Sequence, residues 1–529
     1  MTTIRAESDC AKAGINFEKI SRWHYLLTQR EISDTILKRY SFGGWHLHVG
    51  DGVCVSKLED AKGRAIGLFI GIGVDNETLV KGTPKIASLD LDRDSFFEDF
   101  EDWLFYVSGR YNVFIAKGGS KRFYSDAVGM NGMVYDREER QVASSLALCI
   151  ERDATPHPLY DHSLIERGEG NYSLFHTYDM DVRRGNPNFY LDLNDFSETR
   201  FWPRDEDFTT DRSHDDIYGE IIQRTSKVIG EINANFKTAL PLSGGQDSRL
   251  LASISRTNLA GFDQFFTHIH NYASRIDATI AGTLAKVLQV DHEIHDKRNI
   301  KVSEEDVSRF EAEFHAALGF KKRLTREVAH GLHECLEDRM VILRGHQTDL
   351  LRAVFIDKLG EDGRNNLRWQ VKRLLIVPGK AFDRKTYRTF LPEYQNWVET
   401  LPENATKRQV DLMFLEIYYS STIGLIFPAL TRNFFMSPFN SRHLISLSLS
   451  IEEGYRKNSF AVNDIIFQVD PELHDVPFDY EFGGANLGRI DDQQAMAELT
   501  AARRKASETR VALRTQHPDL AASEDVLVP

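Results

Sequence analysis

Leu242-Ser243-Gly244-Gly245-Gln246-Asp247-Ser248-Arg249 joins an apolar, extended run to a helical one through a pair of glycines, and the reading of the chain starts there. Thr238 to Leu242 read as a strand and Ser248 to Ser255 as a helix, while Gly244 and Gly245 let backbone N–H groups come close to a ligand. The first N–H groups of a helix have no partner within it and favour an anion. Leu242, Ser243, Gly244, Gly245, Gln246, Asp247 and Ser248 are therefore candidate residues of a phosphate cradle. No lysine follows the glycines as in a Walker A loop, and their spacing is not that of a dinucleotide fingerprint. Pro241 donates no hydrogen bond and fits a buried strand only at its end.

Strand-like runs at Phe265 to Ile269 and Met340 to Leu343 alternate with helical ones beyond this loop, the pattern of a parallel sheet with crossover helices, hence an α/β fold. Ser213 caps a helix in which Ile217, Ile221, Val228 and Ile232 recur at helical spacing. Upstream, short strands are expected at Trp45 to Val49, Leu68 to Ile72, Tyr111 to Ala116, Arg122 to Asp126, Met133 to Tyr135 and Gln141 to Ser144. The polar segment from Ser197 to Arg212 separates the two patterns. Two domains follow, 1–205 and 206–529, the second ending in a charged, Ala-rich helix and tail from Glu498.

A chain of 529 residues is too long for one ordinary core, and 41% hydrophobic residues suffice for two or three. Its formal charge of −14 repels polyanions and argues against a nucleic-acid partner. No run of eighteen apolar residues and no signal-peptide layout is visible, so the expectation is a cytoplasmic protein without a membrane partner. Cys10, Cys54, Cys149 and Cys335 are scattered, which suggests neither a zinc site nor a disulfide framework. Small-molecule partners remain, and a homodimer is open.

Asp247 beside the cradle can hold Mg2+, which would neutralise charge on a departing pyrophosphate. A second carboxylate is needed nearby. Asp349 supplies it, following the Met340 to Leu343 strand and the turn Gly345-His346-Gln347-Thr348 on the same expected sheet edge. Between them Asp277, Ala281 and Ala285 stand at four-residue steps, and Asp291-His292-Glu293 closes the run.

The Ser-Gly-Gly-Gln-Asp-Ser loop resembles that of the PP-loop enzymes, which split ATP between its α and β phosphates. With the Asp277 to Glu293 run, Gly345 to Leu350, and Ser437-Pro438-Phe439-Asn440-Ser441-Arg442 in order, the chain is similar to the asparagine synthetase family over roughly residues 210 to 475. Upstream, Ser108-Gly109-Arg110-Tyr111, Asp126-Ala127-Val128-Gly129 and Val142-Ala143-Ser144-Ser145 resemble the family's glutaminase domain. The resemblance implies a C-terminal PP-loop sheet of adenine nucleotide α-hydrolase type behind a degenerate α+β domain of the N-terminal-nucleophile type. The family's nucleophile is a cysteine at residue 2; this chain has Thr2, and Cys10 is the nearest cysteine.

A kept ATP site with a lost glutaminase resembles β-lactam synthetases and lasso-peptide cyclases, in natural product biosynthesis. The implied activity is that of an ATP-dependent, AMP-forming carbon–nitrogen ligase, with ATP and Mg2+ as cofactors and a carboxylate and an amine as substrates. The alternative is an ammonia- or glutamine-dependent amidotransferase of polysaccharide or amino-acid biosynthesis. Within this resemblance Asp247 and Asp349 hold the metal, and Gly345 joins the cradle residues. His346, three residues before Asp349, takes the proton of the amine with a pKa near 6.5. Lys457 stabilises the growing negative charge, with Arg456 as the neighbouring candidate. Specificity is expected in loops between 350 and 435, which carry no readable motif.

Overall fold

Apolar side chains alternate along Trp45–Val49, Ala65–Asp75 and Val107–Lys117, and each strand buries one face against a second sheet. The computed structural model describes residues 3–76, 78–204, 208, 210–357, 366–482 and 493–516. Two antiparallel sheets, of six and seven strands, occupy the first 200 residues. Tyr25, Leu27, Trp45 and Leu47 of one meet Leu68, Ile70, Phe114 and Phe123 of the other. Phe96–Tyr106 covers the outer face of the larger sheet, with the Phe100 ring 5.0 Å from that of Tyr124 and Trp103 6.5 Å from Phe69. The outer face of the smaller one packs Leu26 and Val134 on Phe310 and Phe314 of the Glu304–Leu318 helix. The layers thus run helix, sheet, sheet, helix, and all six strands expected here are present, Trp45–Val49 with the expected bounds and the other five with shifted ends.

From residue 238 on, a five-stranded sheet is built with every neighbouring pair parallel. Its order across the sheet is Glu293–Asp296, Gln264–Ile269, Thr238–Pro241, Val341–Leu343 and Phe434–Met436. Thr238–Pro241, first in sequence, is central, and the chain runs away from it in opposite directions on its two sides. In such sheets ligands bind at the carboxyl ends of the strands, at this reversal. Leu240, Leu343 and Phe434 bury one face under the helices His214–Asn235, Gln246–Ile254 and Tyr272–Leu288. Ala239, Phe266, Ile342 and Phe435 line the other. Pro241 ends its strand, where its missing N–H costs nothing.

The family-like stretches of the N-terminal half form a buried junction with the C-terminal half. Asn440 donates through Nδ2 to Gly109 O (2.6 Å) and Asp126 Oδ1 (2.8 Å), and Gly109 N donates back to Asn440 O at 3.0 Å. Arg442 donates through Nη2 to Ser125 O and Pro187 O at 2.9 and 2.8 Å. Glu416, fully buried, accepts both Arg200 nitrogens at 2.6 and 2.9 Å and Trp397 Nε1 at 2.7 Å. Burial raises its pKa, but these donors pull it below the ordinary carboxylate value.

Among the described residues one helical run, Asn404–Ala429, is long and apolar enough to cross a membrane by length and composition, and 78% of its apolar window is buried inside the protein. It is part of the core. Cys10 is buried on the Arg5–Ala13 helix, where burial pushes its thiol up to about 11; Thr2 lies outside the described residues.

Candidate active site

The glycine loop stands where the sheet reverses. Gly245 is the N-cap of Gln246–Ile254 and offers no side chain to the first N–H groups, which leaves them for an anion. Gly244 N donates to Asp277 Oδ1 at 3.0 Å, and Gly245 N to Ser243 Oγ at 3.3 Å. Ser243 and Ser248 share a hydrogen bond of 2.6 Å across the loop. A Cβ on Gly244 would stand 2.7 Å from Ile280 Cδ1, so a side chain here would require Ile280 to shift. Asp277, whose pKa burial raises, therefore orients the cradle from the Tyr272–Leu288 helix, a role that its four-residue repeat with alanines did not announce.

Asp247 and Asp349 meet. Arg352 Nη2 donates to Asp247 Oδ2 at 2.5 Å and to Asp349 Oδ1 at 2.9 Å, so one point lies within hydrogen-bond reach of both carboxylates. Thr348 Oγ1 donates to the other oxygen of Asp247 at 2.7 Å, and the Tyr419 hydroxyl to the other oxygen of Asp349 at 2.6 Å. Gly345 lets the two loops touch, since a Cβ there would stand 2.7 Å from Asp247 O. Burial and then the charge of Asp349 push Asp247 above the ordinary carboxylate range, against the pull of Arg352 and Thr348. Two hard oxygen donors converging on one point fit Mg2+, which commonly uses one or two carboxylates together with substrate phosphates. Asp247 and Asp349 would hold it and it would supply counter-charge to the phosphates.

Strain marks the same loop. Gln347 takes a φ of +69°, the left-handed region, and neither atom of its buried amide has a partner among the described residues. Its N–H donates to Tyr419 OH at 3.2 Å. Tyr419 ends a π-helical turn, Phe414–Tyr419, that also carries Glu416, so the junction with the N-terminal half fixes the hydroxyl that meets Asp349.

His346 turns its ring away from the carboxylates, into a cavity of about 260 Å3 on the Phe266 face of the sheet, edge-on to Tyr419 and Phe427. Burial, with the charge of Arg344, pushes its pKa down to about 3, well below the 6.5 expected of it as a base. It is a neutral imidazole whose Nδ1 has no partner among the described residues. Arg456 is fully buried and donates to Asp411 Oδ2 at 3.0 Å and Leu350 O at 2.8 Å, which makes it a strut of the Asp349 loop. Lys457 is half-buried, and just beyond it Ser459 Oγ donates to Gln246 Oε1 at 3.4 Å, so this segment returns to the glycine loop. Arg352, Tyr419 and Thr348 were missed from sequence; only contact in space connects Tyr419 to Asp349, 70 residues away.

No protein-family model matches the sequence, nor does any curated protein. Among solved structures the chain is similar to the U34-tRNA thiolase NcsA of Methanococcus maripaludis, solved with its 4Fe-4S cluster. The identity is 14%, over 53% of this chain and 87% of that one, with a TM-score of 0.19.

Proposed function

We propose that this chain is a PP-loop, asparagine synthetase-like ligase that adenylates a carboxylate with ATP and passes the acyl group to an amine. The observation that carries the reading is the convergence of Asp247 and Asp349 on one point beside an uncapped helix N-terminus at the sheet reversal. Free N–H groups suit the phosphates, and the two carboxylates suit their counterion.

In this reading a carboxylate oxygen bonds to the α-phosphorus while the bond from that phosphorus to the bridging oxygen breaks, and pyrophosphate leaves with the electron pair. Mg2+, held by Asp247 and Asp349, supplies charge neutralisation for the triphosphate. The cradle of Ser243, Gly244, Gly245, Gln246 and Ser248 holds the departing pyrophosphate, with Leu242 seating its first residue and Gly345 keeping the Asp349 loop in contact. An amine then attacks the acyl carbon, AMP leaves, and the amine gives up a proton. Lys457 is proposed to face the charge that grows at the acyl group. His346, a neutral imidazole lining the cavity, is proposed to accept a hydrogen bond from the amine. A base this weak does not hold the proton, which passes on to solvent.

Carboxylate-dependent exchange of labelled pyrophosphate into ATP tests the reading. The expected result is exchange by the wild type that falls roughly 100-fold or more in Asp349→Ala, an effect of the size seen when transition-state charge stabilisation is removed. Exchange that survives in Asp349→Ala would overturn the metal assignment. Release of ammonia from glutamine would instead favour the amidotransferase.

A further inference from the structure

The cavity behind the Asp349 loop carries a charge pattern that the nucleotide site does not use. We propose that it binds a zwitterionic α-amino acid with an aromatic or branched side chain, its carboxylate on Arg344 and its ammonium on Glu327. That this amino acid is the acid to be adenylated rests on the ligase reading above.

Arg344 follows the Val341–Leu343 strand, and its side chain lines the cavity. Glu327 lines it from the Arg326–Ala329 turn. Among the described residues neither side chain makes a hydrogen bond or an ion pair, although the two act on each other electrostatically. No ion pair within 4.0 Å joins them, and both line the same cavity. An isolated acid would answer Arg344 but be repelled by Glu327, and an isolated amine would meet the reverse; a zwitterion answers both.

Apolar walls supply the rest. Phe266, Phe310, Phe314, Phe427, Phe435 and Ile426 enclose a space of about 260 Å3, just under the usual range for drug-sized ligands and suited to one small molecule. His268, His333 and His346 add imidazole rings to the same lining. Burial holds all three imidazoles neutral, with pKa values pushed to about 3, 4 and 3. The arrangement is oriented as well: Arg344 immediately precedes Gly345, whose backbone lies against that of Asp247. In the ligase reading a carboxylate oxygen of the bound amino acid would bond to the α-phosphorus as pyrophosphate leaves, while the ammonium stays on Glu327.

Calorimetric titration of the full chain with phenylalanine, leucine, 3-phenylpropionate and phenethylamine tests this without nucleotide. Phenylalanine or leucine is expected to bind, and the two analogues lacking amine or carboxylate to bind roughly 10-fold more weakly or worse, since each leaves a charged group unanswered. Arg344→Met and Glu327→Gln should each weaken phenylalanine by about the same factor. Glu327 is on a short surface turn, so its substitution keeps the test open should Arg344→Met fail to fold. No binding of either amino acid overturns the proposal, as does binding indifferent to Glu327→Gln, or 3-phenylpropionate binding as well as phenylalanine. A parallel titration with ATP and Mg2+ separates the two readings. Amino acid binding without nucleotide binding sinks the ligase and leaves the cavity assignment, and the reverse outcome does the opposite.

Discussion

Nη2 of Arg352 stands 2.5 Å from Oδ2 of Asp247, on the side from which Asp349 also reaches it. A guanidinium there is the internal counter-charge of two carboxylates that would otherwise repel each other. Arg352→Met is expected to lower the apparent Tm of the protein without ligands. Mg2+ alone should then raise that Tm more in the variant than in the wild type. An equal rise in both would place cation and guanidinium in different positions.

The raised pKa of Asp247 has a definite sign for stability. Burial first, then the charge of Asp349, keep the carboxyl protonated in the folded protein at pH values where the unfolded chain, with a pKa of about 3.9, has lost the proton. The contribution of this group is fully present below the unfolded value and is lost as pH rises through the folded one. Asp247→Asn should therefore raise the apparent Tm at pH 8 and change it little at pH 4, while abolishing exchange. A variant less stable at pH 8 than the wild type would contradict the assigned shift.

Gly345→Ala puts a Cβ 2.7 Å from Asp247 O and 3.0 Å from its carbonyl carbon. Backbone atoms cannot step aside as a flexible side chain can, so the two acidic loops must separate. Pyrophosphate exchange is expected to fall by roughly 10-fold or more, as small misplacements of catalytic groups do, with the fold retained by circular dichroism. Unchanged exchange would mean that the loops need not touch.

Arg456 and Asp411 form a fully buried pair that also ties down Leu350 O. Removing one partner leaves a buried charge unanswered, so Arg456→Met should cost about 3–5 kcal/mol in urea unfolding. Arg456→Met combined with Asp411→Leu should recover part of that loss. No recovery would mean that the Leu350 contact, not the ion pair, carries the cost.

Much of this was legible in the sequence because local rules and tertiary structure agree there. The Thr238–Pro241 strand, the glycine turn, the Gln246–Ile254 helix and the Ser213 cap follow from periodicity and capping alone, and so does the parallel sheet. Asp349 could be placed at a strand end by counting from Leu343. Arg352 could not be foreseen as the bridge, because a charged residue three positions past an aspartate ordinarily lies in solvent. His346 shows the limit of register: its position beside Asp349 is fixed by sequence, but whether its ring faces the carboxylates or the apolar cavity depends on Tyr419 and Phe427, brought in by a distant helix. The pair Arg344 and Glu327 was equally invisible, since only the layering of the Glu304–Leu318 helix against the sheet encloses the space they share.

The buried junction of Asn440, Arg442 and Glu416 with Gly109, Ser125 and Arg200 carries a lesson for inheritance. A gene trimmed to its C-terminal half would strand a carboxylate and a guanidinium in a greasy wound, and its product would aggregate. The first two hundred residues thus serve the rest of the chain as scaffolding through these contacts.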